Sequence, residues 1–134
     1  MLERGKIRNR EAGAQLKDFS GLRFGKITPT DIDGFVDFNN KAFVIFEIKY
    51  GSADMPFGQR LGYERLCDAC ESSGIHTIVI LAHHQVDAPN DIDVASLAVS
   101  KVRFKRQWRT PNVPHTVRSA FEAFMAWVEK EGSR

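Results

Sequence analysis

At 134 residues, with 43% hydrophobic and 27% charged side chains, the chain is long enough to bury one real core and too short for several. That composition is ordinary for a folded domain and excludes a disordered or fibrous class. The formal net charge of +2 creates no strong global field, so any surface recognising a polyanion has to be local.

No stretch approaches the ~20 consecutive apolar residues of a membrane span, so no membrane partner is expected. The amino-terminal MLERGKIRNREAG is charged and lacks an apolar signal core, which points to a cytoplasmic location. No repeat, low-complexity tract or linker interrupts the chain, and a single domain over residues 1–134 is expected.

Residues 3–20 favour a helix, with Ala12, Leu16 and Phe19 or Ser20 on one face, Glu11 beside it and Gly21 as the stop. Leu22 to Thr28 alternates as a first strand, and Pro29-Thr30 breaks it. A β-hairpin follows. Asp31, Asp33, Phe35 and Asp37 share a face of its first arm, and Phe43, Ile45, Glu47 and Lys49 share a face of the second. Asn39-Asn40-Lys41 is the turn, since Asn tolerates the left-handed conformation that turns need.

A three-residue loop pairs Phe38 with Ala42. Counting back then sets Asp33 opposite Glu47 and Asp31 opposite Lys49, with paired Cβ atoms roughly 4.5–5.5 Å apart. A two-residue loop would instead put Asp33 and Glu47 on opposite faces.

Beyond the hairpin, Gly51 to Pro56 reads as a loop in which Asp54 is placed to cap the next helix. That helix spans about Phe57 to Ser73, with Leu61, Leu66 and Ala69 or Cys70 as its expected buried stripe. Gln59 and Tyr63, four apart, meet on one face. Cys67 and Cys70 form C-x-x-C, but an iron–sulfur cluster needs four thiolates. His83 and His84, adjacent on a strand, point to opposite faces and do not easily complete a zinc site. Both cysteines are therefore expected to be plain helix residues.

Ile75 to Ala82 is nearly continuous apolar and β-branched, the pattern of a buried central strand. His83 and His84 stand at its exit, where a histidine can assist proton transfer. Gln85 to Asp93 is a polar loop. Val94 to Arg109 holds a further strand and the one dense basic stretch: Lys101, Arg103, Lys105, Arg106 and Arg109, with Phe104 and Trp108 interleaved. Lys101, Arg103 and Lys105 are expected to share a strand face. The stretch suits phosphate contacts and base stacking, or equally a charged, protected sheet edge. Thr116 to Glu131 is an amphipathic terminal helix with Val117, Ala120, Phe121, Phe124 and Val128 inward.

Two acids and a lysine thus meet at the open end of the hairpin. Converging hard oxygens suit Mg²⁺, which takes one or two carboxylates and keeps several waters. A lysine two positions beyond the second acid can orient an attacking water or neutralise charge building on a phosphate. The residues alone fit metal-assisted phosphodiester hydrolysis and a solvated strand face with incidental salt bridges equally well.

Asp33 followed by Glu47-Ile48-Lys49 on the next arm of a hairpin resembles the core of the PD-(D/E)XK nuclease superfamily. Gln59 to Tyr63 looks like the Q-x-x-x-Y helix motif of its RecB-like branch, and the resemblance covers about residues 1–82. It implies an α/β fold, a restriction-endonuclease-like mixed sheet flanked by helices in the order α-β-β-β-α-β-β-α. It implies Asp33 and Glu47 as ligands of Mg²⁺, with Mn²⁺ as a substitute, and the Ile48 carbonyl as a further ligand. Lys49 would position the water or stabilise the transition state, and Gln59 and Tyr63 would orient the scissile strand or brace the lysine. An acid on the first helix often completes such a site; Glu11 is that acid here, with Glu3 behind it. The expected function is metal-dependent cleavage of DNA. The alternatives are a dimeric structure-specific nuclease or junction resolvase, for which a homodimer is the working unit, and a non-catalytic nucleic-acid-binding protein on the same scaffold.

Overall fold

In the computed structural model residues 17–131 are described, and the chain divides into two units, residues 1–31 and 32–134. Glu3, Glu11 and most of the expected first helix lie outside the described residues. Residues 17–20, which that helix was to include, are coil and turn, with Asp18 Oδ1 accepting from the Ser20 amide at 2.9 Å. Leu22 to Thr28 does not form the expected strand. Phe24 and Ile27 exchange backbone hydrogen bonds at 3.0 Å each way across a tight turn, and Gly25 sits there at φ +63°. That left-handed conformation suits glycine and reverses the chain where alternation alone reads as continuous strand.

The second unit is a five-stranded mixed sheet with two helices. The strands are β1 (Gly34–Phe38), β2 (Ala42–Tyr50), β3 (His76–His84), β4 (Val99–Phe104) and β5 (Gln107–Arg109), in spatial order β1-β2-β3-β4-β5. Helix α1 (Phe57–Ser72) links β2 to β3, and α2 (Val117–Glu131) follows β5. β2 and β3 run parallel and every other neighbouring pair is antiparallel. Parallel neighbours cannot be joined by a tight hairpin, and α1 makes the crossover. Compared with the expected order, the described residues hold one strand fewer before α1 and one more after β3: the stretch from Val94 to Arg109 folds into a short 3₁₀ turn (Val94–Ser96) and the β4–β5 hairpin.

The first hairpin has the expected register, with Phe38 opposite Ala42 and Gly34 opposite Phe46. Asn39 and Asn40 take φ +52° and +60°, and the Asn40 amide donates to Asp37 Oδ1 at 2.9 Å. Gly34 lets the Phe46 ring lie against β1, since a Cβ there would stand 3.1 Å from Phe46 Cδ2.

The two faces of the sheet bury different kinds of side chain. On one, Ala42, Val44, Ile78, Ile80 and Ala82 pack against Val117, Phe124 and Val128 of α2, a dry core. Reciprocal bonds between Thr116 and Ser119, each side-chain oxygen accepting the other's amide at 3.1 Å, start that helix. On the other face, Ile45 and Val79 pack against Tyr63 and Cys67 of α1. The expected Leu61–Leu66–Ala69 stripe is not what α1 buries: Gln59, Tyr63 and Cys67 are buried, while Leu66 and Ala69 are exposed. Nor does Asp54 cap the helix, whose N-cap is Pro56 with no side-chain bond. The buried face of α1 is polar toward its N-terminal end, where Gln59 and Tyr63 lie. No helix among the described residues is long and apolar enough to cross a membrane.

Candidate active site

Strand β2 brings Glu47 and Lys49 up on the α1 face, two positions apart as the pleat requires. Glu47 is only 1% exposed, although a carboxylate that deep is costly without partners. Its partners form a closed ring. Lys49 Nζ lies 3.1 Å from Glu47 Oε2 and donates to Gln59 Oε1 at 3.1 Å. Gln59 Nε2 donates to the Tyr63 hydroxyl at 3.3 Å, and that hydroxyl donates to Glu47 Oε1 at 3.4 Å. The Gln59–Tyr63 spacing of one helical turn carries the relay from Lys49 back to Glu47. Both links through the tyrosine oxygen, one N–H···O and one O–H···O, exceed the usual hydrogen-bond lengths, so the ring is tight at the lysine and loose at the tyrosine.

Asp33 lies one residue before β1 and is exposed. Its Oδ2 accepts from the Ile48 amide at 2.7 Å, a charge-assisted bond that fixes the carboxylate across the end of the hairpin. Burial pushes the Glu47 carboxyl up to about 7, helped by a hydrogen bond with Asp33 and the negative charge there; Lys49 pulls in the opposite direction. The two acids therefore share one electrostatic environment, as the hairpin register requires.

The structure gives His83 a different role from proton transfer. Its Nε2 lies 2.7 Å from the Ala53 carbonyl, which can only accept, and its Nδ1 lies 2.6 Å from Ser100 Oγ. The β3–β4 register shifts between Leu81 and Ala82, so that Lys101 pairs with Leu81 and Val99 with Ala82. Ser100, the extra residue in that irregularity, reaches His83. Both ring nitrogens are thus engaged in tying the loop after β2 to the sheet. His84 accepts from the Val86 amide at 3.1 Å. Cys67 is buried and Cys70 half-buried; burial raises both thiols, so neither is a ready nucleophile or ligand.

The basic stretch is not one surface. Lys101 is exposed, but Arg103 is buried, donating to Asp68 Oδ1 at 2.8 Å and to the Glu64 carbonyl at 3.4 Å. Lys105 lies beyond the end of β4, in a two-residue turn with Arg106. The pair takes φ +51° and +67°, and Lys105 Nζ sits 5.1 Å from the Trp127 ring on the α2 side. Arg106 reaches Ser72 Oγ at 3.4 Å, and Arg109 donates to Gln107 at 2.9 Å. Lys101 and Arg103 do share the α1 face of β4, but Asp68 of α1 draws Arg103 inward, and Lys105 leaves that face because alternation stops at the turn.

Sequence reading missed Glu64, whose Oε2 accepts from Trp108 Nε1 at 2.6 Å and lies 3.7 Å from Arg60 Nε. The Arg60–Glu64 spacing of four was visible; the bond to Trp108 joins α1 to β5 and has no local signal.

A divalent cation suits Asp33 and Glu47 on chemical grounds: one carboxylate just before β1 and one on β2, the latter buried and reluctant to ionise beside the former. Among the described residues no group of three or more His, Cys, Asp or Glu side chains converges for a metal. No family model, curated protein or solved structure matches this chain.

Proposed function

We propose that the protein is a metal-dependent nuclease that hydrolyses DNA phosphodiesters at Asp33, Glu47 and Lys49, on a restriction-endonuclease-like fold. The observation that carries this reading is the closed ring of Glu47, Lys49, Gln59 and Tyr63 beside the anchored Asp33. Motif residues from a strand and a helix, far apart in sequence, meet in one hydrogen-bonded set. The element order from Asp33 through β3, a hairpin with the acid-x-lysine on its second arm and then a helix, also agrees with the resembling family.

In this reading Asp33 and Glu47 would hold Mg²⁺ or Mn²⁺, with the Ile48 carbonyl as a further ligand. The ion would supply Lewis-acid stabilisation of the phosphate and lower the pKa of the attacking water. The protein's own share is positional. Gln59 and Glu47 take two of the three hydrogens of the Lys49 ammonium, leaving the third for a phosphate oxygen or the attacking water. Tyr63 holds Gln59 in the orientation that presents its carbonyl oxygen to the lysine. Gln59 and Tyr63 therefore brace the lysine rather than contact the scissile strand.

A second reading draws on the same ring: a purely structural network, since each member is paired within it. The two separate in a cleavage panel of single-stranded, duplex, flap and four-way DNA with Mg²⁺ or Mn²⁺. Cleavage that excess EDTA stops and that Glu47→Gln and Lys49→Ala each abolish or cripple supports the nuclease. A folded wild type that cleaves none of them leaves the structural network.

A further inference from the structure

Next to the ring is a cleft that the ring does not use. It holds about 230 Å³ and is lined by Asp54, Met55, Arg60, Leu81, Lys101 and Trp108. The sheet register fixes its relation to the acids: Glu47 pairs with Leu81, and Leu81 pairs with Lys101. Neighbouring strands lie about 4.8 Å apart, so the row from Glu47 to Lys101 spans roughly 10 Å across the α1 face. A strand held by a phosphate at Glu47 and Lys49 is therefore within reach of Lys101 with an adjoining phosphate.

The lining divides by chemistry. Met55, Leu81 and Trp108 are buried or half-buried and make an apolar floor, while Arg60, Lys101 and Asp54 are exposed at the mouth. Trp108 is held by its 2.6 Å bond to Glu64, so its ring is a fixed wall. The Arg60 guanidinium lies 5.6 Å from the ring of the exposed Phe57. The ammonium of Lys101 has no ion-pair partner among the described residues. The volume is below the ~300 Å³ at which pockets for drug-sized ligands begin and is of a size for one flat group. Cations at the mouth and an apolar, aromatic floor suit a base inside and phosphates outside. A base in a duplex enters only after unstacking and unpairing, a free-energy cost that an unpaired base does not bear.

We propose that this cleft receives one unpaired base of a DNA strand, with Arg60 and Lys101 on the adjoining phosphates, so that the protein selects single strands and unpaired ends over continuous duplex. This rests on the nuclease reading for what happens at Glu47, but binding in the cleft needs no metal.

The test is done in EDTA on the full chain. The sequence has two tryptophans, so in a Trp127→Phe variant only Trp108 emits. Fluorescein-labelled oligothymidine should bind at least ~10-fold more tightly than a blunt duplex of equal length, and should quench Trp108 emission with the same Kd. Arg60→Glu with Lys101→Glu, both at exposed positions, should weaken single-strand binding at least ~10-fold and flatten its salt dependence. Duplex binding as tight as single-strand binding, or Trp108 emission unchanged on saturation, overturns the proposal. Quenching by oligothymidine together with no cleavage in Mg²⁺ removes the nuclease reading and keeps the cleft. Cleavage that depends on Glu47 with an unresponsive Trp108 does the reverse.

Discussion

Tyr63 donates its phenolic hydrogen to Oε1 of Glu47, across 3.4 Å between helix α1 and strand β2. With it, all donors of the ring point toward one carboxylate: Lys49 directly, and Gln59 through the tyrosine. Glu47 is thus both the most buried member and the sink of the network, and its charge state decides how the ring behaves.

The first prediction concerns Gln59. Gln59→Leu keeps most of the volume but removes the acceptor of Lys49 and the donor to Tyr63. The lysine would then be restrained by Glu47 alone and sample more rotamers. Turnover should fall about 10-fold with KM within twofold, since positioning is lost and the substrate contacts remain. Steady-state kinetics check it; a raised KM with unchanged kcat would place Gln59 on the substrate instead.

The second follows from the Glu47 carboxyl standing at about 7, above its ordinary 4.5, because of burial and Asp33. A folded-state value above the unfolded one means that the folded protein holds the proton more tightly. The stability this contributes is complete below about 4.5 and is lost as pH rises through about 7. The metal-free protein should therefore lose on the order of 3 kcal/mol across that window from this group. Glu47→Gln should flatten the slope and melt at or above wild type in EDTA at pH 8. Added Mg²⁺ should raise the Tm of wild type only. Thermal unfolding from pH 4 to pH 8 reads all three, and a mutant less stable throughout would make Glu47 a structural partner of Lys49.

How much of this was legible in the sequence depends on how local the information is. The hairpin register was readable because Asn39-Asn40 marks the turn and the pleat counts outward from it in steps of two. The Gln59–Tyr63 pairing was readable because a helix turn is local. The buried face of α1 was not, because it is chosen by what β2 and β3 offer: Glu47 and Lys49 draw Gln59 and Tyr63 inward and leave Leu66 outside. Arg103 was misread for the same reason, since Asp68 and Glu64 arrive from a helix more than thirty residues earlier. The short reversal at Gly25 was missed because alternation was allowed to outweigh a glycine.

The third prediction turns on the difference in burial between Lys101 and Arg103. Lys101→Ala should weaken DNA binding at low salt and reduce the salt slope by about one, with no loss of stability. Arg103→Ala should leave the slope unchanged and cost roughly 2 kcal/mol, because it removes a buried side chain and its pair with the half-exposed Asp68. Binding measured across a salt series, beside urea unfolding, separates them. A reduced slope in Arg103→Ala with full stability would return Arg103 to the surface.

The last prediction separates the two functions of Lys49. The ammonium lies 3.1 Å from Glu47 and opposes the rise in its pKa, so Lys49→Ala should move that carboxyl further up. On the nuclease reading, cleavage would need Glu47 ionised to hold the metal, so the pH of half-maximal rate at limiting Mg²⁺ should shift to higher pH in the variant. Saturating Mg²⁺ competes with the proton and should pull that midpoint back. Neither higher pH nor saturating Mg²⁺ restores the second function. At alkaline pH and saturating Mg²⁺, where Glu47 is fully ionised in both proteins, the variant should still turn over more than ~10-fold more slowly, because the third ammonium hydrogen no longer meets the phosphate or water. Rate–pH profiles at two Mg²⁺ concentrations carry both readouts. A variant that recovers wild-type turnover at high pH would reduce Lys49 to a modulator of Glu47, and an unshifted midpoint with a uniform rate loss would uncouple the two residues.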